Sequence, residues 1–221
     1  MPADIAVILP AGGAASRFGR DKLLASLHGK PVLRWSVERF SRPDVSMIIV
    51  ATSSPAHRAA LDGLHAVRFA EAGSCRAESV RNALARVPAE TRWVAVHDAA
   101  RPLISDALID RAFRAARQYG SAVPALPVKL TIKQATGPLP ARVERTLPRS
   151  TLWEMQTPQV LPAHSFRRAY DTITHPLHTI TDDAQLLELI NEPVTLIEGD
   201  ERNLKLTTPQ DLALAEQLLG V

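Results

Sequence analysis

The chain has 221 residues, enough for one large domain or two small ones, and 46% of them are apolar, which rules out disorder by composition. The net charge of +3 comes from interspersed charges, too mild to argue for nucleic acid but suited to an anionic small substrate. One cysteine, Cys75, permits no intrachain disulfide and fits a reducing compartment, and apolar runs of about five residues fall far short of a membrane span. The segment "MPADIAVILPAGG" has no basic n-region and no cleavable apolar stretch. A soluble cytoplasmic protein without nucleic-acid or membrane partners is therefore expected.

The first predicted strand is "IAVILP", residues 5–10, apolar on both faces as in a buried parallel sheet. It runs into "PAGGAASRFGRDK", which gathers Gly12, Gly13 and Gly19 with Arg17, Arg20 and Lys22. Small residues let backbone N–H groups approach an anion, and the turn lies where open α/β sheets bind ligands, beyond the carboxyl end of a strand. Cations in the same turn point to a triphosphate. The spacing is not that of a P-loop, since no Gly-Lys-Ser/Thr occurs. It is not that of a dinucleotide fold either, since the glycines are spaced differently and the second strand ends "VATSS" without an acid.

Further along, helical patterns at 31–41, 55–64, 76–87 and 105–118 alternate with strands "VSMIIVAT", "WVAVHD" and "SAVPAL". "VTLIEG" supplies a last strand between helices 183–191 and 209–219. In the last helix Thr208 can cap, Pro209 suits the first helical position and Asp211 suits the positive helix start. The alternation predicts an α/β fold, a Rossmann-like mostly parallel sheet flanked by helices, in a single domain over 1–221. No linker, repeat or low-complexity tract interrupts it.

One segment breaks the pattern. "VKLTIKQATGPLPARVERTL", 128–147, reads as two alternating strands around a turn at "TGPLPA". Neither strand has a wide apolar side, and an isolated hairpin is marginal in water. It must lie on its own domain or on a partner subunit, and the pattern leaves both open.

Several residues also have purely structural readings. Asp98 at a strand end can pair with Arg101 and tighten a turn. His97 reads as a hydrogen-bonded strand residue, and Trp93 and Trp153 as packing. "TITDDA" reads as a helix start, with Thr181 capping and Asp182 and Asp183 on the positive dipole end. No Cys/His cluster suggests zinc.

The stretch "PAGGAASRFGRDK" resembles the signature loop of sugar-nucleotide and alcohol-phosphate nucleotidyltransferases. "AGSCRAESVRNAL", "VHDAARPLIS", "LPVKLTIK", "TLPRSTLWEMQTPQVL", "TITDDA" and "EGDERNLKLTTPQDLALAE" follow in the order and spacing of the 2-C-methyl-D-erythritol 4-phosphate cytidylyltransferase family, from Ile5 to Leu219. "HDAARP" and "LW…QTPQ" are specific to a branch that includes the similar ribitol-5-phosphate cytidylyltransferases. The resemblance implies cytidylyl transfer from CTP to an alcohol phosphate with release of pyrophosphate, in the non-mevalonate isoprenoid pathway. It implies Mg²⁺ held mainly by the CTP phosphates, with no protein metal ligands. It also implies a homodimer in which 128–147 is a projecting β-arm completing the neighbour's site. With the sequence stopping at Val221, a fusion to the later cyclising enzyme of that pathway is not expected.

By the same resemblance, Arg17 and Lys22 would stabilise the pentavalent α-phosphate, and Arg149 and Lys205 would place the acceptor phosphate. Pro10, Ala11, Gly12 and Gly13 would surround the base and phosphates. Gly73, Ser74 and Ser79 would read cytosine. Asp98, Ala99 and Arg101 would lie beside the ribose and acceptor, and Thr131 and Thr157 near the acceptor. The chain departs from the family at several points. The loop from Arg17 to Lys22 is shorter, and Asp21 stands where proline often precedes the lysine. Ser74 stands where Asp is frequent. Leu130 and Arg202 replace acids that the family places near the acceptor.

Overall fold

The computed structural model of the chain describes residues 3–13, 18–19 and 21–220. Ile5–Pro10 (β1) forms the centre of a five-stranded sheet, flanked in parallel by Val45–Ala51 (β4) and Trp93–Val96 (β6). Two very short strands, Ser26–Leu27 (β2) and Lys30–Pro31 (β3), make a small hairpin between β1 and β4. Val67–Ala70 (β5) extends the sheet in parallel beyond β4, and Gln159–Pro162 (β11) closes the other edge antiparallel to β6. The order is β11-β6-β1-β4-β5.

β1 shows why its sequence is apolar throughout. Ile5, Val7 and Leu9 enter one core layer, and Ala6 and Ile8 enter the other, all without solvent exposure. The first layer is covered by Val32–Glu38 (α1), Asp106–Tyr119 (α4) and Pro209–Leu219 (α7), through Leu33, Val37, Leu108, Phe113 and Leu212. The second is covered by Arg76–Leu84 (α3), Ala163–Thr172 (α5) and Ala184–Leu189 (α6), through Val80, Leu84, Phe166 and Leu186. A strand buried on both faces has no position for a polar residue, so β1 carries none. Pro55–Ala60 (α2) follows β4, started by Ser54, whose hydroxyl accepts from the His57 N–H. At α7, Thr208 and Asp211 form a reciprocal capping box with Pro209 in the first turn, so that helix start was legible in advance.

Two predicted strands sit elsewhere than expected. Val123–Pro127 (β7) and Leu196–Glu198 (β12) pair with each other in parallel, and β7 also pairs antiparallel with Trp153–Met155 (β10). They form a separate three-stranded sheet, joined to the main one, among the described residues, by the bridge of Ala122 to Val160. β12 is not buried on both faces; Leu196 and Glu198 are exposed. The expectation failed because a short β-branched run has the same composition at a sheet edge as at its centre. Six elements went unread: β2, β3, β5, β10, β11 and α5. β5 carries Arg68 within only four residues, and β10 and β11 crowd Trp, Glu, Gln and Pro into segments too short for a period to show.

Residues Ile132–Ala135 (β8) and Val143–Leu147 (β9) pair antiparallel in a hairpin of their own. It is exposed along nearly its full length, and Leu139 near its turn is 90% accessible.

Candidate active site

Loops leaving the carboxyl ends of three parallel strands meet in a cavity of about 320 Å³. The loop after β1 supplies Pro10, Ala11, Gly12, Gly13 and Lys22. The segment between β5 and α3 supplies Gly73 and Ser74, and α3 itself supplies Arg76 and Ser79. Asp98 and Ala99 follow β6, and Lys205 comes from the segment before α7. Gly12 and Gly73 are required by close approach. A Cβ on Gly12 would stand 2.4 Å from Ala72 Cβ, and one on Gly73 would stand 2.4 Å from Glu78 Cγ. Bare Gly12 lets the first loop meet the second at Ala72, and bare Gly73 lets Glu78 fold back over its own loop.

A second cavity, about 250 Å³, adjoins the first across Arg76, Asp98 and Lys205 and is further lined by Arg101, Thr157, Gln159 and Asp182. Eleven of the sixteen predicted site residues therefore line the first cavity, and Arg101 and Thr157 line the second. Thr131 and Arg149 line neither: both are exposed, and the Arg149 guanidinium donates to the Lys129 carbonyl at 2.8 Å. Arg17 lies outside the described residues. Of the two departures expected near the acceptor, Leu130 is exposed on the hairpin side and Arg202 donates to the Leu218 carbonyl at 2.6 Å, so neither lines these cavities.

The electrostatic centre is Asp98. Its carboxylate meets Lys205 at 2.9 Å, Arg76 at 3.3 Å and Arg101 at 3.4 Å. Burial alone would raise its pKa, but the three cations, Arg76 foremost, hold it far below the ordinary carboxylate range. The predicted Asp98–Arg101 pair is present, and it is one spoke of a larger hub. Arg76 is the residue that sequence reasoning missed. It spans from Asp98 to Asp183, whose side chain is 1% exposed and which it meets at 2.6 Å. Burial works against the guanidinium charge, and Asp183 followed by Asp98 more than restores it. The arginine in "AGSCRAES" offered a signal only in being a cation in the base-reading stretch.

Replacing Arg76 with Met leaves Asp183 buried without its ion-pair partner. A fully buried pair broken in this way costs about 3–5 kcal/mol. The Arg76 side chain is 27% exposed, so a loss of roughly 2 kcal/mol is expected, measured by urea unfolding of Arg76→Met at pH 7. An unchanged midpoint would show that Asp183 finds another partner or takes up a proton at little cost.

A chain of hydrogen bonds fixes the "HDAARP" turn. His97 Nε2 lies 3.1 Å from the Arg101 carbonyl, so it carries the proton, and Nδ1 accepts from the Thr157 hydroxyl at 3.0 Å. Thr157 Oγ1 in turn accepts from the Asp98 N–H at 3.1 Å. His97 is thus a hydrogen-bonded residue, as its bland reading had it. Burial, opposed by the Arg101 carbonyl and the Asp98 charge, pushes its pKa down to about 4. In the unfolded chain the imidazole takes its proton at a higher pH. The stabilisation is therefore complete above about pH 6.5 and is lost as pH falls towards 4. Unfolding free energy is expected to drop by roughly 2 kcal/mol from pH 7 to pH 4.5, and His97→Asn to flatten that slope. Asp98, whose pKa is depressed, adds its own loss only below about pH 4, so the two windows separate.

Lys22 is held across the cavity mouth. Its Nζ donates to the Leu206 carbonyl at 3.0 Å, and the Leu206 N–H donates to Ala100 at 2.8 Å. Asp21, where the family often has proline, turns the loop by accepting from the Leu23 N–H at 3.0 Å and binding His57 Nε2 at 2.7 Å. The segment 203–206 acts as a crossbar, with the Asn203 carbonyl accepting from Arg101 at 2.6 Å.

The "TITDDA" reading needs correction. Thr181 does not cap α6: its hydroxyl donates to the Gln185 side chain, while Asp182 accepts from the Gln185 N–H at 3.1 Å. Gln159 accepts from the N–H groups of Asp183 and Ala184, both at 2.9 Å. Asp183 faces Arg76 instead of the helix dipole. Among the described residues no three His, Cys, Asp or Glu side chains converge as a metal cluster. Trp93 is packed as predicted, but Trp153 is 47% exposed, on β10. It lines a groove of about 830 Å³ whose charged lining is acidic, Glu198, Asp200 and Glu201, and so unsuited to a polyanion.

A family model described as 2-C-methyl-D-erythritol 4-phosphate cytidylyltransferase matches residues 5–221. A relative of that name from Gloeobacter violaceus is 38% identical over 96% of this chain and 95% of its own. A chloroplastic relative of that name from Oryza sativa is 34% identical over 98% of this chain and 74% of its own. The crystal structure of 2-C-methyl-D-erythritol 4-phosphate cytidylyltransferase from Thermus thermophilus superposes with a TM-score of 0.80 at 34% identity, covering 98% of each chain.

Proposed function

The chain belongs to the 2-C-methyl-D-erythritol 4-phosphate cytidylyltransferase family, and on that premise we propose that it transfers cytidylyl from CTP to 2-C-methyl-D-erythritol 4-phosphate in isoprenoid synthesis, releasing pyrophosphate. The observation that carries the reading is the cavity at the strand ends, small-walled on one side and faced by Lys22 and Lys205 on the other. A phosphate oxygen of the acceptor attacks the α-phosphorus, and pyrophosphate leaves in line. The attacker is already an anion, so no general base is needed, and catalysis is positioning and charge stabilisation.

CTP brings about four negative charges and the acceptor nearly two. Arg17, Lys22, Arg149, Lys205 and one Mg²⁺ roughly offset them. That arithmetic leaves out the Asp98 hub. Lys205 pairs with Asp98, and Arg76 and Arg101 share that carboxylate with it. An arriving phosphate competes with Asp98 for Lys205, and the two arginines keep Asp98 compensated when it does. The magnesium arrives with the triphosphate. Asp98, which lines the same cavity as Lys22, is committed to three side chains, so the phosphates remain the suitable metal donors. When bound, the metal neutralises phosphate charge.

We assign Arg149, Thr131 and the hairpin to the neighbour's site in a homodimer. The supporting observation is that Leu130, Leu139 and Val143 leave apolar surface exposed on or beside an element with no core of its own. The lone cysteine suits the cytoplasm, and among the described residues no helix is long and apolar enough to cross a membrane. The test is pyrophosphate release from CTP with a panel of acceptors. Turnover with methylerythritol phosphate above all others is expected; turnover confined to ribitol 5-phosphate would move the chain to the neighbouring branch.

A further inference from the structure

In the wall formed by residues 73–79, the two serine hydroxyls have committed their protons. Ser74 donates twice to one carboxylate oxygen of Glu78, its N–H at 2.7 Å and its hydroxyl at 2.6 Å. Gly73 donates its N–H to Ser79 Oγ at 2.9 Å, and the Ser79 hydroxyl donates onward to the Cys75 carbonyl at 3.0 Å. An ionised carboxylate only accepts, so the direction of the Ser74–Glu78 bond is not in doubt once Glu78 is charged. The hydrogen bonds from the Ser74 hydroxyl and N–H, with Arg81 at 3.3 Å from the other oxygen, hold Glu78 below the ordinary carboxylate range. Both serine oxygens therefore keep lone pairs and have no proton left to give, while both residues line the cavity.

We propose that Glu78 is a specificity-determining residue: by holding the Ser74 proton, it makes that hydroxyl an obligate acceptor and selects cytosine over uracil. The proposal rests on the reading that this wall faces the base of CTP. Cytosine offers an amino group at C4, which such an oxygen can accept from. Uracil offers a carbonyl oxygen there, and two acceptors facing each other bury an unpaired polar group. Glu78 itself touches no substrate in this account. It acts through Ser74, and it explains how serine serves where the family often has Asp, because serine with its proton committed elsewhere presents only lone pairs, as a carboxylate does.

A competing account is that Glu78 only tethers the start of α3, accepting from the backbone just before it. Loss of a tether alone would lower thermal stability and slow both nucleotides equally. The experiment is kcat/KM for CTP and UTP, at fixed Mg²⁺ and saturating acceptor, in the wild type, Glu78→Leu, Glu78→Gln and Ser74→Ala, with the melting temperature of each. Glu78→Leu frees the Ser74 proton, so the CTP/UTP ratio should fall by about tenfold or more, with part of the change a rise in UTP use. Glu78→Gln retains an accepting oxygen and should keep most of the ratio. Ser74→Ala, a small change that tests the proposal should Glu78→Leu not fold, should lower the ratio through CTP alone. Ratios within about twofold of wild type in both Glu78→Leu and Ser74→Ala would overturn the proposal and leave only the tether. A wild type with no preference for CTP would overturn the nucleotide reading itself, which is a separate result.

Discussion

Lys22→Met is expected to lower kcat by about 10²- to 10³-fold while the chain still folds. In the reaction proposed here, negative charge shifts across the α-phosphate as the new P–O bond forms and the old one breaks. A fixed ammonium at that point is stronger in the transition state than in the ground state, so its loss falls on kcat more than on KM. The crossbar explains why the position is precise. Leu206 receives the Lys22 Nζ and also ties itself to Ala100, two residues from Asp98. The ammonium and the Asp98 hub are thereby set on one frame. Met keeps the aliphatic stem and gives up the bond to Leu206, which is worth about 1 kcal/mol of stability. Steady-state kinetics with CTP and acceptor, paired with urea unfolding, separate the two losses. A near-normal kcat in a folded variant would remove Lys22 from the chemistry.

Mixed subunits offer the other large effect. Lys22 lines the cavity of its own chain, whereas Arg149 is exposed beyond both cavities. If the hairpin crosses to a neighbour in a two-fold dimer, each site takes Lys22 from one chain and Arg149 from the other. Lys22→Ala and Arg149→Ala are each expected to be nearly inactive. When their subunits exchange, one site of each mixed dimer carries both lesions and the other carries none. Mixed dimers make up about half of the population, so roughly a quarter of all sites should recover. If both residues came from one chain, every site would keep a lesion. No return of activity after exchange has been verified by mass would end the assignment of 128–147 to a partner.

Burial on both faces is written in composition, and so the sequence by itself determined the α/β class, β1, β4 and β6, and the helices that cover them except α5. A fully apolar β1 and a Thr208–Pro209–Asp211 helix start have one local solution each. Local chemistry also marked the Gly-rich turn as a ligand loop, the family resemblance added the "HDAARP" turn, and 13 of the 16 candidate site residues line the two adjoining cavities. Tertiary structure alone decided the rest. Nothing in "AGSCRAES" shows that Arg76 bridges Asp98 and Asp183, residues 22 and 107 positions away, because ion-pair partners are set by chain crossing, not by spacing. The edge sheet of β10, β7 and β12 escaped for the same reason: a short apolar run has no period that distinguishes the centre of one sheet from the rim of another. The proton direction at Ser74 likewise depends on which carboxylate stands 2.6 Å away, and that distance exists only once α3 has turned Glu78 back over Gly73.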